Sequence, residues 1–389
     1  MILKNCSYIL TQDSNRCILR NYDILIEGNT IKKIGNNLKG DAKIDCRNKL
    51  VMPGLINTHT HFPMHSLRGI CDNKELDGWI KDLSKFESKI NENAAGKNTL
   101  EACKEAINFG TTTVADFYKF PEARKKAFEK AGLRAFVAST VRDKKDIPKS
   151  ESFVKSCKNG LVKPMLSAHS VFECEKDLIL KIRDLSEKYN LMRRIHVGET
   201  RLERYESFKK YQKLPVEFLA ETGFLSDKSI LVHCIWITKG EIRLIAEKDA
   251  KISHNPISNM KLASGGVMPL REILDNGITV GLGTDSVASN NNLDLFEEMK
   301  VCALLHRHHY WNADAVLNQK VLDMATVDAA KCLGLEDVGS IEEGKKADII
   351  TIDLKRPHLN PINDIVSNII FSANGNDVVD VIVDGKVLK

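Results

Sequence analysis

The chain has 389 residues, 43% of them hydrophobic and 28% charged, with a formal net charge of +5. That length exceeds one ordinary domain and accommodates a barrel of about 250 residues plus a smaller unit. No apolar run reaches the roughly 18 residues of a membrane-spanning helix, and the lysines are spread along the chain instead of gathered in a basic block, so neither a membrane nor a nucleic-acid partner is expected. The segment 1–6 lacks the basic stretch, apolar core and cleavage site of a secretory signal, and a cytoplasmic location is expected. The ten cysteines stand singly with no Cys-x-x-Cys pair, which points to neither a disulfide framework nor a zinc ribbon.

Residues 1–52 read as short strands at 2–10, 18–19, 23–26, 30–34 and 43–45, punctuated by turn residues such as Gly28 and Asn29, and predict a small antiparallel β unit. Strands then alternate with amphipathic helices. Eight strand candidates follow, at 50–60, 111–118, 134–140, 162–169, 193–199, 229–235, 250–255 and 278–284, with helical patterns at 99–109, 123–131, 176–188 and 241–247 among the segments between them. Eight β/α units predict an α/β fold, the (β/α)8 TIM barrel, with its active site at the strand C-termini. After barrel helices at about 320–334, strand-like runs return at 347–352 and 378–383, the second followed by the Asp384–Gly385 turn. The expected organisation is 1–52 as the first part of a discontinuous β-sandwich, 53–335 as the barrel and 336–389 as the second part of the sandwich.

The strand ends carry the chemistry. His59 and His61 stand two apart at the end of an apolar run, and in a strand such residues face the same way. The fourth predicted strand ends near His169, the fifth carries His196 and Glu199, the sixth His233, and the eighth ends at Asp285. Five histidines, one glutamate and one aspartate at the same end of five strands are hard to explain as packing. They are what metal-assisted hydrolysis requires: His59, His61, His196 and Asp285 can supply nitrogen and carboxylate ligands to one divalent ion, which lowers the pKa of a bound water to about 7. Glu199, three residues beyond His196, suits a proton shuttle, and His233 suits orienting the attacking oxygen. Within 76–90, Glu87 falls on an apolar stripe with Leu76, Ile80, Leu83 and Ile90, where a carboxylate needs a partner or a function. Trp79 reads equally as a surface on which a base stacks or as a structural aromatic, and Phe62 and Met64 as pocket wall or packing. His65 is out of phase with His61 and is expected to pack behind the ligands. His254 is expected to orient the loop bearing Asn255 and Asn259, and the run His306–His309 to lie at the surface or an interface. Nucleotide-binding glycine loops, Gly-x-Ser-x-Gly and the His-x-Glu with Pro-Cys-x-x-Cys pattern are absent.

The runs 53–69 (PGLINTHTHFPMHSLRG), 254–265 (HNPISNMKLASG), 283–294 (GTDSVASNNNLD) and 339–348 (GSIEEGKKAD) together resemble the amidohydrolase superfamily. More narrowly they resemble its deaminases of 5-methylthioadenosine, S-adenosylhomocysteine and 5′-deoxyadenosine, with related chlorohydrolases. The resemblance implies metal ligands His59, His61, His196 and Asp285, and a catalytic set of Glu199, His233 and Asp285. It also implies substrate binding through Glu87, His169 and Glu199, with Trp79 and Arg142 as further candidates. Members with two ions bridge them by a lysine of the fourth strand. Here that strand ends at His169, with Lys163 near its start, so one ion per subunit is expected: zinc first, with iron(II) or manganese(II) also compatible with the donors. Arg142, with Lys144 and Lys145, follows the third strand, where relatives acting on S-adenosylhomocysteine are expected to grip its carboxylate with arginines. A single arginine makes that clamp incomplete and favours smaller 5′ groups. The implied function is hydrolytic deamination of a 5′-modified adenosine by a homo-oligomer. The alternatives are a guanine-type deaminase, an aminofutalosine deaminase, a chlorohydrolase, or a non-catalytic scaffold, the last disfavoured by the complete ligand set.

Overall fold

The computed structural model describes residues 1–74, 76–157 and 160–389. Its centre is a set of eight parallel strands lying side by side in chain order: β1 (Leu55–Thr60), β2 (Thr111–Tyr118), β3 (Arg134–Ser139), β4 (Val162–Ser170), β5 (Arg193–Val197), β6 (Ser229–His233), β7 (Lys251–His254) and β8 (Val280–Leu282). Seven of the eight are buried at every position, as expected of strands covered on one side by helices and on the other by the barrel interior. The fold is the expected TIM barrel. The helix anticipated from residue 99 begins earlier, at Glu92, because the Asn91 side chain accepts the Ala94 N–H at 2.9 Å and caps it.

The barrel closes where β8 meets β1. The only backbone pairing described at that seam is the parallel bridge between Thr60 and Asp285, and side chains complete it. Asn57 Nδ2 donates to Thr284 Oγ1 at 2.8 Å, and the Thr58 hydroxyl donates to the Leu282 carbonyl at 2.8 Å.

The expected first strand over 50–60 is two strands. Lys49–Pro53 pairs antiparallel with Ile349–Asp353 in a separate sheet, and β1 starts after Gly54. At Gly54 a Cβ would lie 2.6 Å from Thr112 Cβ, so a residue with a side chain could not pass from one sheet into the other here. The expected strand over 2–10 also divides: Ile2–Cys6 and Tyr8–Leu10 join different sheets. One sheet orders Thr30–Gly35, Tyr22–Glu27, Ile2–Cys6 and Lys43–Asp45. The other orders Lys386–Val387, Val378–Val383, Ile349–Asp353, Lys49–Pro53, Tyr8–Leu10 and Ile18–Leu19. The N-terminal strands are not purely antiparallel, since Ile2–Cys6 runs parallel to Lys43–Asp45 and Tyr8–Leu10 parallel to Lys49–Pro53. Leu3, Ile9, Ile24, Val51, Ile349 and Ile382 fill the space between the sheets, while Leu50, Met52, Ile350 and Ile352 belong to the barrel's own core. Alternate residues of the same strands thus serve two cores.

One buried ion pair fixes the turn that follows β1. Arg124 and Asp116 are both inaccessible to solvent, with Arg124 Nε 2.7 Å from Asp116 Oδ2. The guanidinium also donates to the carbonyls of Tyr118, Ala138 and Asp116, and the other carboxylate oxygen accepts the Phe62 N–H at 2.7 Å. Removing one partner strands the other in the core. Arg124→Ala should therefore lower unfolding stability by about 3–5 kcal/mol in urea titrations, and Asp116→Ala by a similar amount.

Candidate metal centre and active site

His59 and His61 leave the top of β1 beside the ends of β2, β5 and β8. The carbonyls of neighbouring strands set the tautomers. His61 Nδ1–H donates to the Phe117 carbonyl at 2.6 Å and His196 Nδ1–H to the His169 carbonyl at 2.8 Å, which turns the Nε2 lone pair of each ring inward. The His59 ring centroid lies 4.7 Å from that of His61 and 5.1 Å from that of His196, and one nitrogen of each of the three lies within 4.8 Å of the others. Asp285 Oδ1 is 3.1 Å from both His59 Nε2 and His61 Nε2, while its Oδ2 accepts the Ser258 hydroxyl at 2.6 Å.

The backbone pays for this convergence. Asp285 has φ +58° and His233 φ +80°, left-handed conformations unusual for residues other than glycine. Asp285 is held there because its N–H donates to the His59 carbonyl at 2.9 Å and its own carbonyl accepts the Thr60 hydroxyl at 3.1 Å. Gly283 makes the close approach possible, since a Cβ there would sit 2.9 Å from His59 Cβ and against Asn255.

Burial first, and then the neighbouring Arg194 guanidinium, holds His59 well below its ordinary pKa; burial and the surrounding histidines do the same for His196. Burial pushes the Asp285 carboxyl up, but the His59 and His61 rings outweigh it and keep the group well below the usual carboxylate range. Inward-facing imidazole nitrogens and an ionised carboxylate, three of them oriented by bonds from behind, form a donor set that fits one divalent cation. The expected ligands His59, His61, His196 and Asp285 are all brought together.

Glu199 lies two residues past β5, with Oε2 3.6 Å from His233 Nε2. Asn259 Nδ2 at 2.9 Å and Asn255 Nδ2 at 3.3 Å approach His233 Nδ1, so the His233 proton sits on Nε2 and faces Glu199. The loop after β7 therefore does position the site, though through its asparagines. His254 itself turns away to His306, Nε2 to Nε2 3.0 Å. This corrects the surface placement of His306: it is fully buried on the helix Leu295–Tyr310, whose inward face also carries Met299 and Cys302, while His308 and His309 are exposed. His65 does not lie behind the metal ligands. Its ring bonds Glu105 at 2.9 Å, alongside Arg68, on the far side of the turn.

A cavity of about 280 Å³ opens onto this cluster, and Trp79, Glu87, Arg142, His169, Glu199 and His233 all line it. Glu87 is half-buried, 4.0 Å from Lys119 Nζ. The stripe assigned to its helix is only partly internal, because Ile80 is 43% exposed at the cavity instead of in the core. Trp79 packs with Met64, Leu83 and Tyr118, and its indole N–H has no partner among the described residues. Met64 is cavity wall, whereas Phe62 packs on Phe128 in the core. Arg142 Nη2 donates to His169 Nε2 at 2.7 Å. Lys144 and Lys145 pair with Asp177 and Asp143 at the surface and do not reach the cavity.

Several residues escaped the sequence reading. Arg194, fully buried beneath His59 and 5.0 Å from the Phe117 ring, has its pKa lowered by burial to about 9. It stands two before His196 in β5, so strand alternation does place it on the same face. Glu203 is buried, accepts the Glu199 N–H at 3.0 Å and is pushed up to about 8 by burial. The spacing Thr200-x-x-Glu203 was the available signal, since Thr200 caps the helix Arg201–Tyr211 by accepting the Glu203 N–H. Ser258, behind Asp285, had no signal in the sequence.

Comparison with known proteins agrees with this geometry. The amidohydrolase family model matches residues 50–388. Over its full length the chain is 40% identical to a 5′-deoxyadenosine deaminase of Methanosarcina acetivorans, covering 92% of that protein. It is 41% identical, again over its full length, to a 5-methylthioadenosine/S-adenosylhomocysteine deaminase of Thermococcus sibiricus, covering 93%. An adenosine deaminase from Xanthomonas campestris solved with bound zinc superposes with a TM-score of 0.96 at 27% identity, covering 99% of this chain and 92% of that one. The matched span takes in all the converging strand ends, and the chain belongs to the amidohydrolase family.

Proposed function

We propose that this protein is an aminohydrolase that deaminates a 5′-modified adenosine to the corresponding inosine analogue and ammonia. The observation that carries the reading is the pairing of Glu199 with His233 at the floor of a nucleoside-sized cavity, directly beside the His59, His61, His196 and Asp285 donors. The relatives named above act, by their names, on adenosine derivatives.

His59, His61, His196 and Asp285 would hold one divalent ion, and zinc suits nitrogen and carboxylate donors of this kind. When bound, such an ion makes water acidic enough to supply a nucleophile at neutral pH. Glu199 then takes a proton from the attacking water and delivers it to the ring nitrogen beside C6, so that the amino-bearing carbon becomes tetrahedral; the proton of the new hydroxyl then passes to the amino group, the C–N bond breaks as the carbonyl forms, and ammonia leaves. His233, its proton held on Nε2 by Asn255 and Asn259, donates toward the oxygen and fixes its direction of attack. Glu87 accepts from the ribose hydroxyls, and His169 places its ring beside the purine. Trp79 closes the wall over the nucleoside.

Elemental analysis of purified protein should find one divalent ion per chain, and His59→Ala should lose both the ion and turnover. Two tightly held ions, or activity without any, would defeat the mononuclear assignment. Glu199→Gln keeps the shape of the side chain and cannot accept a proton. Its turnover should fall at least ~10²-fold while metal content stays at the unmodified level. Following adenine absorbance, 5′-deoxyadenosine and 5-methylthioadenosine should react ahead of S-adenosylhomocysteine, and 2′- or 3′-deoxy analogues should lose about 1–3 kcal/mol in kcat/KM. Reaction of a free base or halogenated ring where no adenosine reacts would overturn the substrate class.

A further inference from the structure

The far end of the cavity carries a feature that the reaction itself does not use. Arg142, the arginine placed to meet a 5′ substituent, is already engaged by a carboxylate of the protein: its Nε lies 3.0 Å from Glu173 Oε2. The same oxygen is 2.8 Å from His169 Nδ1, and Arg142 Nη2 is 2.7 Å from His169 Nε2. The three side chains form a closed triangle in which each polar end meets an opposite partner. His169 donates to Glu173 and accepts from Arg142, and the guanidinium binds the carboxylate directly. The histidine and the arginine hold Glu173 below its ordinary pKa against the effect of its burial.

The reaction fixes which part of a nucleoside meets this triangle. With C6 at Glu199 and His233, the rest of the molecule points away from the ligand cluster. Outward from His196 the next ring is His169, 5.2 Å away, and beyond it come Arg142 and Glu173. The other cation at the cavity, Lys119, faces Glu87. Among the described residues, both the arginine and the lysine lining this cavity, Arg142 and Lys119, thus already face a carboxylate of the protein, and Lys149 lines only the second cavity beyond them. Lack of room is not the obstacle: a second cavity of about 760 Å³ shares Lys119, Thr140 and Arg142 with the first and lies open beyond them.

We infer that Glu173 is a specificity-determining residue, an internal carboxylate that occupies Arg142 and so selects neutral 5′ groups over those ending in an amino acid. A substrate carboxylate reaching Arg142 must displace Glu173 and leave two like charges together beside His169. This inference rests on the deaminase reading for the direction in which the nucleoside lies.

The test compares 5-methylthioadenosine with S-adenosylhomocysteine, which share the thioether and differ in the amino-acid end. Their ratio cancels any general loss that a change at Glu173 transmits through His169. In Glu173→Gln, kcat/KM for S-adenosylhomocysteine relative to 5-methylthioadenosine should rise about tenfold or more, and adding Arg142→Gln should remove that gain. An unchanged or lowered ratio, or a gain that survives loss of Arg142, overturns the assignment. Dissociation constants for the same two nucleosides, measured by calorimetry on the same proteins, apply the same criterion without turnover. If the unmodified enzyme binds both and turns over neither, the deaminase reading fails, and the ratio of dissociation constants still decides the role of Glu173.

Discussion

The site depends on the seam where the last barrel strand meets the first. Asp285 can approach the His59 and His61 rings only because the barrel closes, and closure here rests on little backbone pairing. One bridge, the side chains of Asn57 and Thr58, and the Asp285 N–H bonded to the His59 carbonyl hold the two ends of the barrel together. The same contacts that finish the fold thus fix the distance between the candidate ligand groups. Gly283 is required because the two strands approach within van der Waals contact, and Asp285 takes a left-handed backbone because its carboxylate must turn back across the mouth.

Charge around this seam is handled by satisfying each buried group instead of exposing it. Asp116 and Arg124 neutralise one another in the core while holding the turn after His61. Glu203 and Glu298 are pushed upward by burial and accept backbone N–H groups at Glu199 and Ile257, so each steadies a loop that carries site residues. Arg194 is the exception in kind: a guanidinium against His59 with one nitrogen lacking a partner among the described residues, its charge made costly by burial and eased by the face of Phe117. After burial, its charge is the largest influence holding the His59 pKa down, so that ring stays neutral.

The contrast between the two ends of the cavity follows from how tightly each is built. At the metal end, His61 and His196 are oriented by strand carbonyls, and His233 and Asp285 by Asn255, Asn259 and Ser258 at one short helix. At the outer end, Arg142, Glu173 and Glu87 are partly exposed, on loops or a helix outside the barrel strands. The groups proposed for the chemistry lie in the part built into the barrel, and those proposed for selection among substrates lie outside its strands.

Much of this was legible in the sequence. Alternation of strand and helix patterns marks eight β/α units, and polar residues at strand ends identify His59, His61, His196, His233, Glu199 and Asp285, because burial along the rest of each strand leaves its C-terminal end as the place for such groups. What the sequence could not supply were partnerships between distant segments. The break at Gly54 is invisible in a continuous apolar run, since it depends on Thr112 standing against it. His306 looked exposed in a cluster of polar residues, yet helix geometry turns it inward to His254 while its neighbours face out. Asn255 and Asn259 fix the proton on His233, and Glu173 occupies Arg142, only because separate loops meet at the barrel mouth. Local pattern determines which residues reach the end of a strand; which side chain each one meets there is decided by closure of the barrel, since hydrogen bonds and ion pairs form between groups that are near in space whatever their separation along the chain.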